Sequence, residues 1–234
     1  MNTSSPMTMV DIFLAPSTVF TRLKDNKKWA WICLLLIVAT SATASILFFS
    51  GMSPEWIVEQ QLAQSGDLSP QEAAQAKDAM IQMAPYTGIL GAVFGGIFIL
   101  IMASAFAAYN MMIGKLGAVI KPDFKYSDWF SFTLWTTMPT LINTLGFMVL
   151  FLTANNAELP LSLANYASVN QLFFNYLPGD SLFTWAESLN LFSLWSIGLT
   201  AIGFQRCCNM SFANATVAAV LPYFVIFGSW FALA

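Results

Sequence analysis

The chain contains no histidine. That excludes histidine-based catalytic triads, H-E-x-x-H zinc sites, haem held by histidine and the usual proton shuttle near neutral pH. Charge is scarce as well: only 9% of residues are Asp, Glu, Lys or Arg, where a soluble domain carries about a quarter. The three cysteines do not form a disulfide framework, because Cys33 lies in an apolar run and Cys207 and Cys208 are neighbours. They read as small apolar fillers, with acylation of Cys207 or Cys208 as the alternative. The net charge of −3 comes without a basic tract, so nucleic acid has no footprint. No acid or base falls near the middle of any apolar run, and none converge elsewhere. The expectation is therefore of no catalytic residues, no metal site and no cofactor.

What is abundant is apolar surface. With 57% hydrophobic residues and a mean hydropathy of +0.66, the chain reads as an all-α polytopic membrane protein. Five apolar runs predict five transmembrane helices at about 29–50, 85–113, 129–153, 189–207 and 212–233, forming one membrane domain over 29–234. An Ala42-Thr43-Ala44 stretch resembles a signal-peptidase site, but the apolar run continues through Phe49, which argues against cleavage.

Residues 1–28 form a cytoplasmic N-terminal amphipathic segment. Pro16 suits a first helical turn, and Val19, Phe20 and Leu23 share a face. With Phe13 and Pro16, they predict an interfacial helix anchored on the inner leaflet. The basic residues set the orientation. Arg22, Lys24, Lys27, Lys28, Lys115, Lys121, Lys125 and Arg206 fall on one side and Lys77 on the other. The richer side is the cytoplasmic one, so five crossings place the N-terminus inside and the C-terminus outside. The first outer loop contains helix starts at Ser53-Pro54-Glu55 and at the capping box Ser69-Pro70-Gln71-Glu72, with Gly66 ending the first of these helices. The acids of this loop are too scattered for a calcium site and read as a solvated face.

Two polar stripes interrupt the apolar pattern. On the third run Thr133, Thr136, Thr137, Thr140, Asn143 and Thr144 repeat at helical spacing. On the fourth, Asn190, Ser193, Ser196, Thr200, Gly203 and Cys207 do the same. Lipid leaves such groups unsatisfied, so the candidate polar interior face is Thr133, Thr136, Thr137, Thr140, Asn143, Asn190, Ser193, Ser196 and Thr200. The two stripes are expected to meet or to flank one interior space, with Asn143 bonded inside the bundle. Pro139 and Pro222 each free a backbone carbonyl one turn earlier. On the second run Gly88, Gly91, Ala92, Gly95 and Gly96 form overlapping small-xxx-small patterns suited to close helix packing, within the chain or between copies.

In this order the motifs resemble the Yip (Ypt-interacting protein) family, in its short bacterial form. The resemblance rests on Phe13-x-x-Pro16-x-x-x-Phe20 and on the basic-loop-to-proline pattern from Gly114 to Pro139. The strongest part runs from Leu189-Asn190-Leu191-Phe192-Ser193-Leu194-Trp195 through Gly203 to Ser211 and Ala215. It implies a five-helix membrane domain without enzymatic activity and, in eukaryotic relatives, Rab-type GTPases and other Yip proteins as partners. The long cytoplasmic N-terminal region of those relatives is missing here. Their Asp-Leu-Tyr-Gly-Pro motif has only a loose counterpart in Asp11-Ile12-Phe13-Leu14-Ala15-Pro16. GTPase binding therefore does not carry over; the expected partners are the bilayer, the chain itself or other membrane proteins. The expected function is a non-catalytic membrane organiser or interaction scaffold, the alternative being a transporter, channel or lipid-moving protein that uses the polar face.

Overall fold

A computed structural model describes residues 6–64 and 70–233. Gly66 and Ser69, expected to end one outer-loop helix and to cap the next, lie outside the described residues. Eleven α-helices follow one another among those described. Helices α1 (Thr8–Leu14) and α2 (Pro16–Thr21) are separated at Ala15, whose φ of −144° and ψ of 55° leave the helical region. Proline disfavours that region in the residue before it, and Pro16 itself starts α2. Helix α3 (Lys27–Ser50) follows, then α4 (Pro54–Gln64), whose start is capped by Ser53 Oγ accepting the Trp56 N–H at 3.3 Å. Helix α5 (Pro70–Met83) leads through a 3₁₀ turn at Ala84–Tyr86 into α6 (Thr87–Leu116). The third apolar run is two helices, α7 (Tyr126–Thr136) and α8 (Pro139–Leu152), rather than one containing a proline. A short α9 (Phe183–Ser188), α10 (Leu191–Cys208) and α11 (Phe212–Leu233) complete the chain. The described residues contain no strand, only an isolated antiparallel bridge between Ser168 and Asn190.

Among the described residues four helical stretches are long and apolar enough to cross a membrane: Lys27–Ser50, Ala74–Leu116, Tyr126–Leu152 and Phe212–Leu233. Helix α10 has 18 residues, but its last turn carries Gln205 and Arg206, which dilute its apolar character. Exposure on α6 matches a lipid environment: Phe94 is 64%, Phe98 62% and Ile101 59% exposed, a contiguous apolar surface that water would not tolerate on a monomeric domain.

The chain divides into two compact units. The first runs up to Ala39 and takes in Ile97–Leu141 and Phe192–Gly228; the second comprises Thr40–Gly96, Ile142–Leu191 and the residues from Ser229 on. The core of the first unit is built around α7, whose residues from Asp128 to Thr136 are all buried. Phe132 sits at its centre, with ring centroids 5.2 Å from Phe20, 5.5 Å from Trp129 and 5.3 Å from Phe204. Val19, Phe20 and Leu23 are each no more than 2% exposed within this core, and Phe13 meets Trp195 edge to face at 5.5 Å. The side chains expected to hold the inner leaflet are instead covered by the protein's own helices. The bend at Ala15 makes this possible, because it folds the N-terminal segment back as two short helices. The second unit has its own aromatic cluster, in which Phe48 lies 4.9 Å from Phe147 and Phe147 lies 5.0 Å from Phe151.

Helix α7 is fixed at its start by Asp128, whose side chain is 2% exposed. Its Oδ2 accepts the Lys125 N–H at 2.8 Å, the carboxylate half of a capping box, and its Oδ1 faces Lys27 Nζ at 2.6 Å. Loss of the cap alone costs about 1 kcal/mol, and removal of the carboxylate also strands Lys27. Asp128→Ala should therefore lower the unfolding free energy by about 2 kcal/mol, and Asp128→Asn, which keeps a capping oxygen, by less. Thermal or denaturant unfolding in detergent checks the order. Equal loss in both variants would mean that the cap contributes nothing.

Gly203 on α10 lies against the Phe132 ring, and a Cβ there would overlap it, with Phe20 Cε1 also only 3.2 Å away. That ring is enclosed by other buried aromatics and has nowhere to move. Overpacking of this kind costs about 1–3 kcal/mol, so Gly203→Ala should lower the unfolding midpoint. Gly95 on α6 has open space around the same added atom, and alanine favours a helix by about 1 kcal/mol over glycine. Gly95→Ala should leave the midpoint unchanged or raise it, which calorimetry of the two variants side by side measures.

Candidate functional site

The first unit contains a cavity of about 180 Å³. Its polar lining comes from elements that proline and threonine place there. Pro139 has no N–H, so α7 stops after Thr136 and α8 begins afresh at Pro139. Around this break the threonine hydroxyls bond carbonyls of their own helix. Thr133 Oγ1 donates to Trp129 O at 3.0 Å, Thr136 Oγ1 to Thr133 O at 2.9 Å and Thr137 Oγ1 to Leu134 O at 3.0 Å. On α10, Thr200 Oγ1 donates to Ser196 O at 2.8 Å. Such bonds let hydroxyls sit in an apolar medium without an external partner.

Two contacts join polar groups of different helices. Asn110 on α6 is 2% exposed and donates from Nδ2 to Thr133 Oγ1 at 3.0 Å. Tyr109 donates its hydroxyl to the Ala218 carbonyl at 2.6 Å. Ala218 stands four residues before Pro222, so its carbonyl is the one that Pro222 leaves without a backbone donor. An apolar helix with a missing hydrogen bond is thereby satisfied from its neighbour.

The cavity brings together Thr133, Thr136, Thr137 and Thr140 of the third apolar run with Ser196 and Thr200 of the fourth. The other three residues of the expected interior face lie elsewhere. Asn143 is half-buried in the second unit; its backbone carbonyl accepts the Tyr166 hydroxyl at 3.4 Å, while its Oδ1 is buried without a hydrogen-bond partner among the described residues. The break at Thr137–Met138 does not by itself separate it from the threonines, because Thr140, one turn earlier on the same α8, lines the cavity; Asn143 falls past Leu141, where the first unit ends. Asn190 precedes α10 and forms the bridge with Ser168. Ser193 is half-buried on α10 away from the cavity lining.

In the second unit Gly88 and Gly91 meet α3. A Cβ on Gly88 would lie 3.1 Å from Ile46 Cα and one on Gly91 2.6 Å from Ser45 Oγ, and Ser45 donates to the Gly88 carbonyl at 2.9 Å. Ala92 and Gly96 are half-buried. Sequence reasoning passed over Asn110 and Tyr109, although a Tyr-Asn pair inside an otherwise apolar run is itself a signal of an inward face. Asp128 and its link to Lys27 were hidden because the two are 101 positions apart in sequence.

Comparison with known proteins identifies the scaffold. A Yip1 domain model matches residues 10–233. The chain is also 23% identical over 218 residues to the membrane protein YknW of Bacillus subtilis (strain 168), which covers 92% of this chain and 84% of that protein. No solved structure gives a significant match. With the match spanning nearly its whole length, this chain belongs to the Yip1-domain family of membrane proteins.

Proposed function

We propose that the protein crosses a bacterial inner membrane five times, N-terminus inside and C-terminus outside, and acts there as a non-catalytic organiser of other membrane components. The observation that carries this reading is the neutrality of the cavity lining in the first unit. Among the described residues no carboxylate, amine, guanidinium or thiol lines the cavity, whereas pumps, ion pathways and hydrolytic sites place such groups inside. Helix α10 supplies the fifth crossing, with Arg206 at its cytoplasmic end where the helix dipole favours a cation. The bias of eight basic residues against one supports the same orientation. Partners on this reading are further copies or other membrane proteins. Gly95, open on α6, offers a point of close approach.

The cavity itself favours a second reading, in which the protein carries or holds a neutral solute or a lipid hydroxyl. The two readings separate in reconstituted vesicles. An organiser leaves the permeability to small neutral solutes at that of protein-free vesicles; a saturable flux lost in Thr136→Val transfers the function to transport.

For topology, single cysteines are introduced into a chain whose native Cys33, Cys207 and Cys208 have been replaced. Glu158→Cys and Leu233→Cys should react with an impermeant thiol reagent in intact cells, and Lys121→Cys and Asn209→Cys should react only after lysis. Labelling of Leu233→Cys from the inside alone would reduce the count to four.

A further inference from the structure

The hydrogens around the cavity determine what it can hold. A hydroxyl has one proton and two lone pairs. Thr136, Thr137 and Thr200 each direct that proton to a carbonyl of their own helix, at 2.9, 3.0 and 2.8 Å. A carbonyl cannot donate, so the direction of each bond is fixed by chemistry. The three oxygens keep acceptor capacity and have no proton left to give. Thr133 is already engaged on both counts, donating to Trp129 O and accepting from Asn110. The Tyr109 proton is taken by Ala218 O.

The rest of the wall is mostly apolar, with Leu34, Ile37, Phe98 and Met102 contributing, and its further hydroxyl side chains, Thr140, Ser196 and Tyr223, are uncharged. A charged ligand would lose its hydration here and find no counter-charge, a cost that far exceeds a few hydrogen bonds. Size narrows the class further: an engineered cavity of about 150 Å³ takes benzene, and this one has about 180 Å³.

We propose that the cavity is a binding site for a neutral, ring-sized apolar group bearing an O–H donor, of the phenol or alcohol class, with the donor seated on the hydroxyl oxygens of Thr136, Thr137 and Thr200. The same chemistry has two sources, a small alcohol or phenol dissolved in the membrane and the free hydroxyl end of a lipid. The site goes beyond the organising role and does not depend on it, since binding without flux fits an organiser and binding with flux fits a carrier.

The test uses the full chain in lipid nanodiscs and fluorine NMR of 4-fluorophenol, with 4-fluoroanisole as the donor-free isostere and empty nanodiscs to subtract partitioning. The expected result is saturable broadening of 4-fluorophenol, with affinity about fivefold to tenfold above that of 4-fluoroanisole, the worth of one or two hydrogen bonds. In Thr136→Val/Thr200→Val the preference should collapse while 4-fluoroanisole still binds; in Thr136→Ser/Thr200→Ser, which restores the hydroxyls, it should persist. Equal affinity for the two probes in the native chain, absence of saturable binding, or an unchanged preference in the valine variant would overturn the proposal. Diacylglycerol and triacylglycerol in the nanodisc then distinguish the source. Displacement of 4-fluorophenol by diacylglycerol alone assigns the lipid hydroxyl, no displacement by either assigns the small molecule, and equal displacement by both removes the role of the hydroxyl and with it the proposal.

Discussion

A single buried carboxylate sets where the central helix of the first unit begins. Asp128 closes the backbone at Lys125 and holds the Lys27 ammonium, so the start of α7 and the start of α3 are tied by one side chain. A buried charge without partners is costly, and here the carboxylate has a cap on one oxygen and a cation on the other. From that start α7 runs through eight consecutive buried residues, Trp129 to Thr136. The aromatic contacts of Phe132, the close approach of Gly203 and the threonine lining of the cavity all depend on the register this start defines.

The second constraint is that backbone groups in an apolar medium must be satisfied internally. Two prolines test it in different ways. At Pro139 the helix stops and restarts, and the adjoining carbonyls are taken by local donors, including the Thr136 and Thr137 hydroxyls and the Met138 N–H on Trp135 O at 3.3 Å. At Pro222 the helix continues, and the freed Ala218 carbonyl is taken from another helix by Tyr109. The hydroxyls of Thr136, Thr137 and Thr200 are thus structural in their hydrogens and chemically open in their lone pairs. That asymmetry distinguishes the cavity from an ion path, which would require charge or outward-directed carbonyls.

The second unit manages polarity differently. Near α9, Glu187 is 5% exposed and accepts from Asn170 Nδ2 at 2.9 Å and Gln171 Nε2 at 2.6 Å. Asn170 in turn accepts the Tyr176 N–H at 2.7 Å. These bonds organise a segment with little regular helix, as do Trp56 Nε1 on the Leu159 carbonyl at 2.9 Å and Ser53 Oγ on Glu158 Oε1 at 2.7 Å. Irregular backbone needs such side-chain partners because it lacks the internal ladder of a helix.

Sequence by itself determined what depends on neighbours along the chain. Hydropathy located the apolar helices and the membrane class, Pro16 marked a helix start, and the order of motifs pointed to the family. The threonine stripe from Thr133 to Thr140 and its counterpart at Ser196 and Thr200 were legible because each lies within one continuous helix or beside its break. Tertiary structure alone decided the rest. It assigned Asn143 to the second unit although Thr140, one turn earlier on α8, lines the cavity, and it placed Asn190 ahead of α10 in a bridge with Ser168. It brought Phe20 into the core where a face lying on the inner leaflet was expected, because an amphipathic pattern does not say whether lipid or the protein's own helices will cover it. It gave the Ala218 carbonyl to Tyr109 and joined Lys27 to Asp128, pairings between residues about a hundred positions apart that no local pattern encodes.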